Sequence, residues 1–161
     1  ALLPIVMSNF TNLGYDNSLL VGFIGINFAM FGVSLAVFLK SKYATLKSTA
    51  FSTGITAFLT GTTEPALYGL CLRLKKPLIA AFIGCGITGL YLAFAQVKIY
   101  SFGAPGFFTM ANYIDPTGAD PTNFYRAIGG AAVSIISTFI ATWALGFDES
   151  DMSDGDEVKK A

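Results

Sequence analysis

Gly61-Thr62-Thr63-Glu64-Pro65 lies within residues 48–72, a stretch of 25 in which Glu64 is the one charged residue. A charge at the centre of a bilayer costs about 2.5–3.5 kcal/mol on insertion scales, so an acid inside a membrane segment marks a functional site by default. Pro65 removes a backbone donor and pushes Glu64 away from helical geometry, which breaks the segment at this point. Broken helices are tolerated inside membranes where they line a cavity. In transporters they offer unpaired backbone groups and helix-end dipoles to a polar substrate.

The remaining charges show that the solvent is lipid. Of 161 residues, 53% are hydrophobic and 12% charged, against about 25% charged in a soluble domain. Leu19 to Leu39, Pro77 to Val97 and Ala127 to Phe147 each run 21 residues without a charge, matching the roughly 20 residues that cross a bilayer core. Ser48 to Thr63 and Ile99 to Ile114, at 16 residues each, are short for a crossing and read as re-entrant or buried. Residues 1–18 mix apolar side chains with Ser8, Asn9, Thr11, Asn12 and Tyr15. They are too polar to face lipid and better suited to lining a cavity, with Asp16 in a solvated loop.

Cations cluster at the ends of the apolar runs. Lys40, Lys42 and Lys47 close the first span, and Arg73, Lys75 and Lys76 follow 25 residues later. The positive-inside rule places both clusters on the cytoplasmic side, so residues 48–72 enter the membrane, turn at Gly61 to Pro65 and return. Residues 77–97 then cross outward, 98–126 form an outer or partly re-entrant excursion with turns at Gly103-Ala104-Pro105-Gly106 and Asp115-Pro116-Thr117-Gly118, and 127–147 cross back. The fold class expected is all-α integral membrane, with about three spanning helices plus re-entrant hairpins.

Residues 1–147 hold eight Lys/Arg and four Asp/Glu, whereas 148–161 hold six acids and two lysines. That tail is too short and polar to bury a core, and disorder is expected of it. The cations anchor helix ends instead of forming the basic stripe of a nucleic-acid reader. The start, Ala1-Leu2-Leu3-Pro4, has neither the charged region nor the cleavage site of a signal peptide and reads as the middle of a longer protein.

Candidate chemistry centres on a polar, hydroxylated substrate. A sugar calls for a bidentate acceptor such as Glu64, for amides such as Asn27, and for an aromatic face such as Tyr68. Two other readings of Glu64 stand beside this one: a helix cap, or a partner of Arg73 or Lys75. Asn27, central in the first span, reads equally as interhelical glue or as a sugar contact. Cys71 and Cys85 lack metal or redox spacing and read as small buried residues. Gly84-Cys85-Gly86-Ile87-Thr88-Gly89 fits G-x-G-x-x-G but lies within a membrane span rather than after a strand, so its glycines read as sites of close helix approach. With no His in the chain and no close acid pair, hydrolytic triads and zinc sites have no material, and no metal or cofactor is expected.

Gly61-Thr62-Thr63-Glu64-Pro65-Ala66-Leu67-Tyr68-Gly69, continued by Leu72-Arg73-Leu74-Lys75-Lys76-Pro77, resembles the G-I-T-E-P-A-[IL]-Y-G signature of bacterial phosphotransferase system enzyme IIC permeases, in their β-glucoside and sucrose-like branch. Asn12 to Asp16, Asn27-Phe28-Ala29, Leu35 to Lys40 and Phe102 to Gly106 extend the likeness over residues 1–147, as the carboxyl-terminal half of the IIC membrane domain. The resemblance implies a multi-pass permease of the bacterial inner membrane, homodimeric at full length. It binds a sugar that the phosphocysteine of a IIB domain phosphorylates, supplied from upstream IIA and HPr, so that the permease is part of a transferase. Glu64 then orients or activates the reacting hydroxyl, and Gly61, Thr63, Pro65, Asn27 and Tyr68 complete the substrate site. Phosphoryl transfer depends mainly on such positioning and electrostatics.

Three features depart from the pattern. Thr62 replaces Ile, Met30 replaces a frequent Gln, and a second sugar-contacting region, a His-Trp segment, falls before Ala1. The chain therefore reads as a fragment or a split subunit. The alternative is a proton-coupled secondary transporter with Glu64 as proton carrier, and a third reading is a structural membrane fragment without substrate contact.

Overall fold

The computed structural model describes residues 3–103 and 106–147, which fold as helices. In order they are α1 (Leu3–Leu13), α2 (Leu19–Lys40), α3 (Ala44–Thr60), α4 (Glu64–Ala66), a π-turn (Leu67–Cys71), α5 (Leu72–Leu74), α6 (Lys76–Ala95), a 3-10 segment (Phe107–Tyr113) and α7 (Thr122–Leu145). The expectations for residues 148–161, and for Ala104-Pro105 within their turn, lie outside the described residues. Helices α2, α6 and α7, of 22, 20 and 24 residues, are long and apolar enough to cross a membrane. They fall on the three uncharged runs.

Helix α2 is the central element: 72% of its apolar span is buried, against 28% for α6 and for α7. Ser134 Oγ donates to the Gly25 carbonyl at 2.8 Å, Gly32 packs on Ile135 and Thr138, and Lys40 reaches Trp143. These pairs advance together along the chain, so α7 runs parallel to α2. Helix α6 runs antiparallel to both, with Gly84 against Thr138 and Leu92 against Gly130. Of the G-x-G-x-x-G glycines, Gly84 is buried in that contact while Gly86 and Gly89 face open space. The close-approach role expected of the motif is therefore confined to Gly84. Cys71 is buried, with its thiol 3.6 Å from Met30 Sδ.

The hairpin is present. Helix α3 spans about 25 Å at 1.5 Å per residue, ends at Gly61, and the chain returns through α4, the π-turn and α5. A Cβ on Gly69 would stand 3.4 Å from Thr49 Cγ2 and 3.7 Å from Thr53 Cγ2, so the return arm lies back along α3. Leu46 of α3 and Leu70, Cys71 and Leu74 of the arm share one buried cluster with Met30, Val33 and Val37 of α2. The cations at 40–47 and at 73–76 thus arrive at the same end of the molecule.

At the opposite end, residues 97–103 and 106–121 form a structured cap. Asp16 and Ile99 exchange backbone hydrogen bonds of 2.9 and 2.8 Å. Asn123, fully buried, donates to the Lys98 and Tyr113 carbonyls, each at 2.7 Å, and accepts from the Lys98 amide at 2.9 Å. Asp16 corrects the sequence reading, because it is not in a solvated loop but fully buried. Its carboxylate accepts from Asn9 Nδ2 at 2.7 Å, Ser18 Oγ at 2.8 Å and the Leu20 amide at 2.7 Å, the last capping α2. Burial pushes this carboxyl up, but the bonds from Asn9, Leu20 and Ser18 outweigh it and hold the group below its ordinary range. In α1, Thr11 bonds to the Met7 and Ser8 carbonyls and Asn12 to Ser8, so polar side chains are satisfied within the helix.

Candidate functional site

The hairpin tip is built from the end of α3 and the start of the return arm. Gly61 caps α3 at φ 74° and ψ 14°, donating to the Ala57 carbonyl at 3.0 Å. That left-handed conformation suits glycine, which has no Cβ to crowd the turn. Thr60 Oγ1 donates to the Thr56 carbonyl at 2.8 Å and lies 3.0 Å from Thr62 Oγ1, so the hydroxyl at the position of the departing Ile ties the turn to α3. Thr63 is half-buried and precedes α4, its carbonyl accepting from Leu67 at 2.9 Å. Pro65 occupies the first turn of α4, where its missing N–H costs nothing.

Glu64 opens the return arm, and its side chain is exposed. Among the described residues its carboxylate has no hydrogen-bond or ion-pair partner. Arg73, once a candidate partner, stands at the far end of the arm, beside Leu74. The carboxylate therefore neither caps its helix nor pairs along the arm. Tyr68, one turn further on, is 65% exposed and presents its ring at the same surface.

Asn27 joins this group through helix register. Phe31 packs on Phe58 at 4.8 Å, Ser34 packs on Gly54, and Phe38 packs on Phe51 at 5.6 Å. Residue 27 belongs to the same i, i+4, i+7, i+11 stripe of α2, and the antiparallel register of these pairs sets it level with residues 61–62. It is buried. Asn27, Gly61, Thr63, Glu64 and Pro65 thus lie at one level of the molecule, with Tyr68 a turn away.

One part of the site was not read from the sequence as such. A Cβ on Gly106 would meet Gly61 N and Leu59 O at 2.7 Å, and the Phe107 ring stacks on Phe58 at 5.4 Å. The cap therefore seats directly on the hairpin tip. The sequence reads Gly103 to Gly106 as a turn and, with Phe102, as part of the family likeness, but neither reading points to contact with Gly61; the local signal is the glycine at each end of the turn. Beneath the contact lies an apolar cavity of about 280 Å³ whose lining includes Phe28, Phe58, Phe107, Met110 and Phe124.

Comparison with known proteins finds relatives over about half of the chain. Over 87 residues the chain is 39% identical to the arbutin-, cellobiose- and salicin-specific EIIBC component of the phosphotransferase system of Escherichia coli K12, covering 54% of this chain and 18% of that protein. It is 32% identical over 89 residues to the beta-glucoside-specific EIIBCA component of Dickeya chrysanthemi, covering 55% and 14%. It is 36% identical over 89 residues to the sucrose-specific EIIBC component of Bacillus subtilis 168, covering 55% and 19%. The chain carries an enzyme IIC-like region. Each match spans less than a fifth of the curated relative's length. No family model and no solved structure matches. The described residues are all-α, and three of their helices are long and apolar enough to cross a membrane, which suits a membrane protein.

Proposed function

We propose that this chain is the carboxyl-terminal part, over residues 1–147, of the sugar-translocating IIC domain of a phosphoenolpyruvate-dependent phosphotransferase permease. It takes a β-glucoside or sucrose-like sugar across a bacterial inner membrane. The observation that carries this reading is a carboxylate, Glu64, unpartnered among the described residues, at the tip of a broken hairpin and level with the Asn27 amide. Glu64 accepts hydrogen bonds from sugar hydroxyls, Thr63 and the Gly61 turn shape the tip, Asn27 offers donor and acceptor, and Tyr68 supplies an aromatic face. A IIB domain, itself charged through IIA and HPr, then delivers the phosphoryl group to a hydroxyl that Glu64 holds. The complete permease acts as a homodimer.

The test is sugar uptake and phosphorylation by the complete permease carrying Glu64→Gln. A hydrogen bond to a charged group is worth about 1.5–3 kcal/mol, so both should fall about tenfold to a hundredfold. Wild-type affinity and uptake in the variant would end the proposal. Uptake that persists without phosphoenolpyruvate and collapses with an uncoupler would replace it with proton coupling.

A further inference from the structure

One side chain ties the ends of two apolar spans. Helix α2 stops at Lys40 and α7 at Leu145. Lys40 Nζ donates to the Trp143 carbonyl at 2.8 Å and stands 5.5 Å from the centroid of the Trp143 ring. The lysine is exposed, and an ammonium has further donors to offer. Beside this tie lies a groove of about 310 Å³ lined by Leu39 of α2 and by Phe139, Ile140, Trp143 and Ala144 of α7. The Phe139 and Trp143 rings stack at 5.6 Å, and Leu39, Ile140 and Trp143 are exposed. At Ile140 this groove meets a second, of about 470 Å³, which continues over Val133 to Ile83 and Ile87 of α6. Phe147 packs on the buried cluster that holds Leu46 and Leu74, so the chain leaving α7 turns toward α3 and α5.

We propose that this groove holds one anionic phospholipid of the adjoining leaflet, its phosphate on Lys40 and an acyl chain along α7. Depth fits a lipid. From Trp143 back to Val133 the helix rises about 15 Å, half of a hydrocarbon core of about 30 Å, so the two grooves together run from the membrane surface to its middle. Position fits as well, because Lys40 closes a 22-residue apolar helix, at the level where snorkelling lysines and interfacial tryptophans meet lipid headgroups. Charge selects an anionic headgroup. Among the described residues the acids are Asp16, Glu64, Asp115 and Asp120, which belong to the cap and the hairpin tip at the opposite end, and basic pockets between membrane helices are where such headgroups bind. A lipid held there bridges the ends of α2 and α7, whatever substrate the hairpin tip takes.

The test places the full-length protein in phosphatidylcholine nanodiscs with a trace of phosphatidylglycerol or phosphatidylcholine carrying a diazirine on its acyl chain, and maps the photolabel by mass spectrometry. Labels on residues 39 and 133–144 should be about fivefold stronger from the phosphatidylglycerol probe, as one surface cation favours an anionic lipid. Lys40→Gln should bring the two probes level, whereas Lys40→Arg should keep the preference. Ile140→Trp, which fills the groove, should lower labelling by both, and Lys98→Gln, at the opposite end, should change neither. Equal labelling by the two probes in the wild-type protein, no label on these residues from either, or a preference that survives Lys40→Gln would overturn the proposal. So would a preference lost in Lys98→Gln, which would reflect overall charge, or one lost on adding inorganic phosphate at constant ionic strength, which would reflect a free-anion site. No sugar or phosphoryl donor enters the assay, so it fails or succeeds independently of the Glu64 test.

Discussion

At the scale of the residue, two carboxylates of this chain have opposite fates. Glu64 is exposed and, among the described residues, unpartnered, whereas Asp16 is buried under three hydrogen bonds. Local sequence could not separate them, since Asp16 sits among Asn17 and Ser18 like any loop acid, and the strand contact that buries it comes from Ile99, 83 positions later. Asp16→Ala should destabilise the protein by about 1–2 kcal/mol, the cost of losing a helix cap, measured by unfolding in detergent at neutral pH. The sign of the pH dependence follows from the lowered carboxyl. Its stabilisation is present above the unfolded value near 3.8 and is lost as pH falls through the folded value. Asp16→Asn should therefore be less stable than wild type at pH 6, with the gap closing as both are acidified below pH 4. A gap independent of pH would show that the charge contributes nothing.

At the scale of the element, the hairpin was legible and its cover was not. The uncharged length of 48–72, the Glu64-Pro65 break and the cations on both flanks together define an arm that enters and returns. Nothing in residues 98–126 announces that Gly106 lies against Gly61, because that contact joins segments 45 residues apart and depends on backbone approach, not side-chain pattern. It is nonetheless a strict requirement. In Gly106→Ala the new methyl meets backbone atoms of Leu59, Thr60 and Gly61 at 2.7–2.8 Å, and backbone at a capped helix end has little room to yield. Overpacking of this sort costs about 1–3 kcal/mol. The variant should melt earlier and be cut faster by protease between residues 98 and 121, whereas Gly86→Ala, facing open space, should do neither. Equal behaviour of the two variants would mean that the cap is not held on the tip.

At the scale of the whole molecule, three spans meet at one side chain. Thr138 of α7 touches Gly32 of α2 and Gly84 of α6, and its hydroxyl has no hydrogen-bond partner among the described residues. The sequence shows the three spans by their uncharged lengths, because a bilayer sets a minimum run. It does not show which faces meet, since α2 and α6 are apolar nearly all round and their patterns leave rotation open. Lipid tails are as apolar as the helices, so association depends on close fit between small residues more than on burial. The meeting point should therefore respond to size. A methyl at Gly84 strikes the Thr138 side chain, so Gly84→Ala should cost about 1–3 kcal/mol. Adding Thr138→Ala removes the nearest obstructing atom along with an unsatisfied hydroxyl, and the double variant should recover part of that loss. Positive coupling of about 0.5 kcal/mol or more in a double-mutant cycle, read from unfolding in detergent, is the expected result. Simple additivity of the two changes would mean that α6 and α7 do not meet at this pair, and the parallel and antiparallel arrangement of the three spans would have to be redrawn.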